Sequence, residues 1–449
     1  MAGGKGPVSK PRRTVIMGAA GRDFHNFNMV YRGDPGAEVL AFTAAQIPGI
    51  EGRRYPPELA GPLYPDGIPI IEEAGLTDFC GAHGVSEIVF AYSDVEYATV
   101  MHHASRALAA GADFIQLGPA RTMIDAAKPV IAVSAIRTGC GKSQTTRHLS
   151  RFLRGRGLGV AVIRHPMPYG DLAAQAVQRF ASLHDLAAAD CTIEEREEYE
   201  PHIAEGTLVF AGVDYQTIGE AAAKEADILL WDGGNNDFPF YRPDLHIVLA
   251  DALRPGQETT HHPGEAVLRM ADIAVIAKSD AAEAGAIDEV TRNIRAIVPD
   301  VPLVHAASPV VLDDAGAVHG RRALVVEDGP TLTHGGMAHG AGLIAAREAG
   351  AGAIVDPRSS AAPAIAEVYE RYPHLGPVLP AVGYGAAQVA ALEATIDAAD
   401  AEVVVAATPI DLARLIDVGK PIIRARYAYA DIDAPTLTGL VGAFLDGMN

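Results

Sequence analysis

The chain is poor in cysteine, in aromatic residues, in positive charge and in long apolar runs, and each shortage removes a class of protein. Three cysteines in 449 residues, Cys80, Cys140 and Cys191, lie too far apart for a disulfide framework or a zinc ribbon. A reducing, cytoplasmic setting is expected. No apolar stretch reaches the roughly 20 residues that span a bilayer, so no membrane partner is expected. Lys and Arg number 36 against 56 Asp and Glu, a net charge of −20. That balance repels phosphate backbones and anionic lipid, and excludes nucleic acid as a nonspecific partner. It leaves room for a small polyanionic, phosphorylated substrate, provided Arg, Lys, His and backbone N–H groups gather locally.

What is present is apolar, Ala- and Gly-rich sequence in short runs. At 49% apolar the chain is globular, and its length suits two or three domains. Residues 1–12 (MAGGKGPVSKPR) carry basic and small residues with no apolar segment after them, and are expected to form a disordered leader. TVIMGAAG, AEVLAFTA, EIVFAY and DFIQLG read as buried strands separated by helix, an α/β pattern with a parallel sheet. This Rossmann-like N-terminal domain is placed at 13–127. Within it, Arg53–Pro69 carries five prolines and reads as a long ordered loop.

A second run begins at PVIAVSAI and continues through LGVAVIRH, TLVFAG, DILLWDGG, LHIVLAD, IAVIAKSD and PLVHAA. It supplies enough strands for a nucleotide-binding domain at 128–330. Pro309–Gly329 reads as a hairpin turning at Asp314–Gly316. Residues 331–449 form a C-terminal α/β portion, expected to pack with the nucleotide-binding domain.

The strongest local signal is Arg137-Thr138-Gly139-Cys140-Gly141-Lys142-Ser143, between a buried strand and a helix. A phosphate chain needs close backbone N–H groups, a helix start, an ammonium and a hydroxyl for magnesium. Gly139 and Gly141 permit the approach, Lys142 brings the charge, Ser143 the metal ligand, and Thr138, Cys140 and Gln144 complete the cradle. Ile136 stands where G-x-x-x-x-G-K-[ST] has its first glycine. The loop is closer to the variant K-G-G-x-G-K-[ST] of signal-recognition GTPases, MinD-type ATPases and metallochaperone GTPases. Arg137 takes the place of the first lysine, a charge clamp for the transferring phosphoryl group, within one subunit or across two. That loop class also makes a homodimer the expected assembly.

Asp232, ending DILLWDGG, sits where a second magnesium ligand is expected, with Asn235, Asn236 and Asp237 after it at the carboxyl ends of the strands. Lys278 and Asp280 lie in A-K-S-D, which resembles the guanine-reading N-K-x-D with its Asn replaced. Asp280 would read a guanine but the missing Asn weakens that role, and Lys278 would lay its stem over the base, so ATP is expected with GTP open. Candidate substrate residues are the cations and polar groups of strand-end loops: Arg22, Asp23 and His25 in the first glycine turn, Arg164, His165, Arg242, Arg254 and His262. A second cluster, Glu327, Asp328, Thr333 and His334, follows a later strand. Each of these residues alone is equally well read as a solvated loop residue or a capped turn.

Taken together, GAAGRDFHNF, SAIRTGCGKSQTTR, VIRHPMPYGDL, WDGGNNDFPFYRPDLHIV, RPG with HPGE, and EDGPTLTHGGM resemble the cyclic 2,3-diphosphoglycerate synthetase family and its bacterial relatives. The resemblance runs from Gly18 to about Pro357. It implies an ATP- and Mg2+-dependent ring closure of 2,3-diphosphoglycerate with release of ADP and phosphate. The reading from another class is a regulatory or maturation GTPase acting on a protein partner. A second ligand-binding sheet before the nucleotide domain favours the enzyme.

Overall fold

The computed structural model describes residues 10–44, 52–165, 170–333, 336–381, 386–408 and 410–448. The expected leader lies outside them up to residue 9, and the first strand, Arg12–Met17, already begins where the leader was read to end. Mixed α/β layers follow throughout, built on three large sheets whose cores are mainly parallel.

The first sheet runs in the order Arg54–Tyr55, Ile68–Glu72, Ala37–Ala44, Arg12–Met17, Glu87–Phe90, Asp113–Gln116. The proline-rich stretch read as a loop is not one. Arg54–Tyr55 adds an antiparallel edge strand and Pro57–Ala60 a short helix. Proline suits the helix start, where Pro57 occupies the first turn and the missing N–H needs no partner.

The second sheet has nine strands, and those at its centre are Val160–Arg164, Ile228–Asp232, Val130–Ala135, Leu245–Asp251 and Ile273–Ala277. Each of these five is buried along its whole length. Burial on both faces explains why they read as unbroken apolar runs rather than alternating ones. Helix Lys142–Gly155 follows the Val130–Ala135 strand and lays Leu149 and Leu153 into this core.

The expected hairpin at Pro309–Gly329 does not form. Val310–Leu312 pairs antiparallel with Ile422–Tyr427, while Arg322–Asp328 lies two strands further in, parallel to Val403–Ala407. The Asp314 turn exists, with its carboxylate accepting from the Ala317 N–H at 3.0 Å. The run Ala323–Glu327 is buried at every position, however, and such a run belongs in the middle of a sheet. The third sheet therefore starts at Val310, upstream of the boundary expected at 330. It is an insertion. After it the chain returns to the second sheet through Ala430–Asp431, antiparallel to Leu303–Ala307. Helix Leu437–Met448 then buries Leu437, Val441 and Leu445 in the core of the nucleotide-type sheet, and Arg156 pairs with Asp446 at 2.5 Å.

The first and second units are joined directly. Val95–Glu96 forms a two-stranded ribbon with His261–His262, and Ile124 bridges Tyr241. Leu172 and Val213 of the second unit sit in the core of the first.

Candidate nucleotide and phosphotransfer site

The loop between Ala135 and Lys142 turns sharply because Gly139 and Gly141 take φ of +81° and +104°, a region that L side chains rarely adopt. A Cβ on Gly141 would come within 2.7 Å of the Gln144 side chain. Two cations, half-buried Lys278 and buried Arg254, hold the loop from behind. Lys278 Nζ donates to the Gly139 carbonyl at 2.8 Å and to Asp251 Oδ2 at 2.7 Å. Arg254 donates from Nη2 to the Thr138 carbonyl at 2.8 Å and from Nε to Asp251 Oδ2 at 2.9 Å. With the carbonyls engaged there, the N–H groups of the turn from Gly139 onward and the first turn of the helix are left for an anion. Cys140 is buried beneath this brace, where burial raises its thiol pKa.

Asp232 lies on the strand hydrogen-bonded directly beside the loop's own strand, in register with Val133. Its side chain is fully buried and meets Arg164 and His202, the latter with Nε2 at 3.0 Å from Oδ2. Burial works against its charge, but Arg164 and His202 outweigh that and hold the carboxyl well below its ordinary value. Arg164 Nη1 also donates to Ser143 Oγ at 3.0 Å. One guanidinium nitrogen thus touches both groups expected to ligate magnesium. Asp232 Oδ1 is buried with no hydrogen-bond partner. A hard-oxygen pair with an unfilled acceptor fits a Mg2+ ion. Burial lowers the Lys142 pKa, and its Nζ donates to the Asn235 carbonyl.

The N-terminal unit closes the other side. Arg22 Nη1 bonds Asp237 Oδ1 at 2.8 Å, both side chains 8% exposed, and the guanidinium stands 4.4 Å over the Phe238 ring. Asp23 turns back on its own loop, accepting from the Ala20 and Phe24 N–H groups, and burial pushes it up to about 7. His25 stacks on Phe240 at 4.1 Å and contacts the Thr122 carbonyl at 2.6 Å. His165 Nδ1 meets the Tyr215 hydroxyl at 3.0 Å, packed between Gly21 and Gly234. Burial lowers both histidines to about 3, so they are neutral. His262 is likewise lowered to about 4 by burial. Asn236 Nδ2 donates to the Ile136 carbonyl at 2.9 Å, and Thr138 Oγ1 to Asn235 Oδ1 at 3.4 Å.

The structure gathers Arg22, Arg137, Thr138, Lys142, Ser143, Arg164, His165, Asp232, Asn235 and Asn236 around one junction. Others fall elsewhere. Arg242 is on the surface, paired with exposed Asp125 at 2.8 Å. Lys278 braces the loop through Asp251, which is a different task from covering a base. Asp280 is exposed and accepts from the Ser308 N–H at 3.0 Å, while Gln144 donates to Ser308 Oγ at 2.7 Å. Glu327 and Asp328 end a strand of the third sheet, where Glu327 accepts from Leu343 and Gly342 N–H. Thr333 donates to the Gly329 carbonyl at 2.9 Å, and His334 lies outside the described residues. The residues that pattern reading missed are Asp94, His202, Asp251 and Gln257. Asp251 alone had a visible signal, an aspartate ending a buried strand like Asp232.

Fold and loop together define an α/β protein of P-loop NTPase type. No family model matches the chain. It is 55% identical over 428 residues to the arginine synthetase ArcE of Thermococcus kodakarensis, covering 95% of this chain and 96% of that protein. The chain belongs to that family and is an enzyme of synthetase type. Cyclic 2,3-diphosphoglycerate synthetase of Rubrobacter xylanophilus is a more distant relative, 26% identical over 274 residues, 53% of this chain and 58% of that one. Among solved structures, LpxK of Aquifex aeolicus aligns with 72% of this chain and 90% of its own at TM-score 0.41 and 12% identity. The hydrogenase maturation factor HypB of Archaeoglobus fulgidus aligns with 40% and 80% at TM-score 0.26 and 14% identity. Among the described residues no helix is long and apolar enough to cross a membrane.

Proposed function

We propose that the chain is an ATP-dependent synthetase that phosphorylates an oxygen of its acceptor and lets a nucleophile displace the phosphate, with arginine as the product. The observation that carries this is full-length identity of 55% to a protein named arginine synthetase, in a chain whose loop and strand-end acid suit phosphoryl transfer. Chemistry narrows the acceptor. The guanidinium carbon of arginine is reached from a ureido group, whose oxygen is a poor leaving group until phosphorylated. In the first step the oxygen–phosphorus bond forms and the bond to ADP breaks. In the second, ammonia attacks the carbon, phosphate leaves and a proton is lost.

The loop residues Gly139–Ser143 hold the nucleotide phosphates. Ser143 and Asp232 hold magnesium, which would neutralise phosphate charge. Lys142, Arg164 and Arg137 offset the charge that spreads over the transferring group. Adenine is favoured over guanine because Ala277 stands where the guanine-reading N-K-x-D has its Asn. The more distant relative supports a second reading with the same first step, in which a phosphate oxygen of 2,3-diphosphoglycerate is activated and its neighbour closes the ring.

The test is incubation with ATP, ammonium and citrulline, scored for arginine and ADP, beside a parallel reaction with 2,3-diphosphoglycerate followed by phosphorus NMR. Arginine formation is expected. A cyclic anhydride without arginine would move the assignment to the second reading. Lys142→Ala is expected to lower turnover by roughly 100-fold or more and to abolish MgADP binding by calorimetry, with the fold retained. Normal MgADP binding by that variant would remove the loop from the mechanism.

A further inference from the structure

The loop's first basic residue is not free to reach outward. Arg137 Nε donates to Asp94 Oδ1 at 2.6 Å, and its Nη1 donates to Gln257. The two charged side chains are only 7% and 8% exposed. Asp94 Oδ2 also accepts from the Thr138 N–H at 3.1 Å, so one carboxylate grips a guanidinium and a backbone amide of the same loop. Asp94 belongs to the N-terminal unit, four residues past the strand Glu87–Phe90.

Its own placement is tightly determined. Asp94 takes φ of +56°, a left-handed backbone that costs a non-glycine residue energy and persists where the surroundings impose it. The imposing contacts come from the second unit. The Asp94 N–H donates to the His262 carbonyl and to Asn236 Oδ1, both at 2.8 Å. Ser93 Oγ accepts from Asn235 Nδ2 at 3.2 Å, and Val95–Glu96 pairs with His261–His262. Asn235 and Asn236 follow the Asp232 strand, so the turn that carries Asp94 is sewn to both halves of the nucleotide site. Burial opposes its ionisation, yet bonds from Thr138 and Arg137 keep the carboxyl below its ordinary value.

We propose that Asp94 is the positioning residue of Arg137, and that Arg137 therefore acts on the nucleotide bound to its own chain. The inference rests on the reading of the loop as a nucleotide site. In it the N-terminal unit completes the phosphotransfer centre as well as covering it. Asp94 fixes the guanidinium plane through Nε, Gln257 fixes it through Nη1, and Nη2 is the donor left to meet the transferring phosphoryl group. Side chains held this way lose little freedom when the substrate arrives, and a small misplacement at such a group is costly.

The test uses Asp94→Asn, which keeps the shape and tolerates the left-handed backbone, and Asp94→Gly, which relieves it. Both are expected to fold and to bind MgADP by calorimetry within about threefold of the parent, while kcat for ADP release falls 20-fold or more. Arg137→Lys is expected to keep part of the turnover beside Asp94 and to lose that remainder in the Asp94→Asn background. Mixing Arg137→Ala with Lys142→Ala protein is expected to give only the sum of the two activities. Unchanged kcat in Asp94→Asn, or recovery toward a quarter of parental activity in the mixture, would overturn the proposal. A failure of the nucleotide reading is seen separately, as absence of MgADP binding by the parent protein.

Discussion

Asp232 and Glu327 each end a buried parallel strand, each has a side chain withdrawn from water, and each is followed in sequence by glycine within two residues. Their surroundings differ in one respect. Asp232 faces Arg164 and His202, and these hold it ionised against its burial. Glu327 faces the N–H groups of Leu343 and Gly342 at the start of helix Ala341–Glu348, and burial outweighs them and pushes it up to about 7. A strand-end acid in an α/β sheet thus titrates near neutral pH or stays a permanent anion according to whether cations share its burial. Sequence pattern presents the two alike. The charge arrangement that phosphoryl transfer needs is in the second sheet.

The sharpest way to break this contrast is to remove the anion. Asp232→Asn keeps the shape and leaves Arg164 with Glu198 as its carboxylate partner. Losing the Asp232 charge is expected to reduce turnover by roughly 100-fold or more and to abolish saturation by Mg2+. Glu327→Gln is expected to leave turnover within twofold. If the two variants behaved alike in a Mg2+ titration of the synthetase reaction, the distinction between cap and anion would be lost.

The same substitution sharpens the contrast through pH. The folded value of Glu327, about 7, lies above its ordinary value of 4.5. Its contribution is therefore fully present below about pH 4.5 and is lost as pH rises through 7, by up to roughly 3 kcal/mol. Glutamine can still accept the Leu343 N–H and does not ionise. At pH 8 the Glu327→Gln protein should protect the amides of Arg322–Asp328 from hydrogen exchange more than the parent does, and at pH 5 the two should match. Equal protection at pH 8 would show that Glu327 is ionised in the fold at no cost.

The strands and the nucleotide loop were legible because each is a local statement. A run buried on both faces is apolar throughout, and a loop that approaches phosphate writes its glycines, lysine and serine within a few positions. What was not legible depends on pairs distant in the chain. Asp94 meets Arg137 across 43 residues and His202 meets Asp232 across 30. Neither residue has a neighbour that marks it, and His202 sits among glutamates in the helix Ile193–Ala204. The hairpin expected at Pro309–Gly329 failed for a related reason. Its turn is real, but pairing is decided by which strands can cover a fully buried run, and the partners lie about 80 to 117 residues downstream.

The smallest effect expected from the comparison concerns His202. Burial lowers its pKa, although the bond to Asp232 partly opposes that, so the ring is neutral near pH 7. A neutral ring placed with Nε2 at 3.0 Å from a carboxylate oxygen donates from that nitrogen, leaving Nδ1, which is buried without a partner, as the bare acceptor. On the proposed reading of Asp232 as a magnesium ligand, the donation would orient its carboxylate so that Oδ1 faces the metal, as outer groups do for ligating carboxylates. His202→Asn is expected to raise the Mg2+ concentration at half-maximal activity about tenfold while kcat at saturating metal changes little. Because the imidazole of the parent stays neutral in the fold, its support is present above about pH 6.5 and fades as pH falls below it. The gap in stability between parent and variant should narrow in that direction. A fall in kcat with an unchanged Mg2+ midpoint would mean that His202 serves Arg164 or the helix, and that the anion at Asp232 is oriented by its guanidinium partner alone.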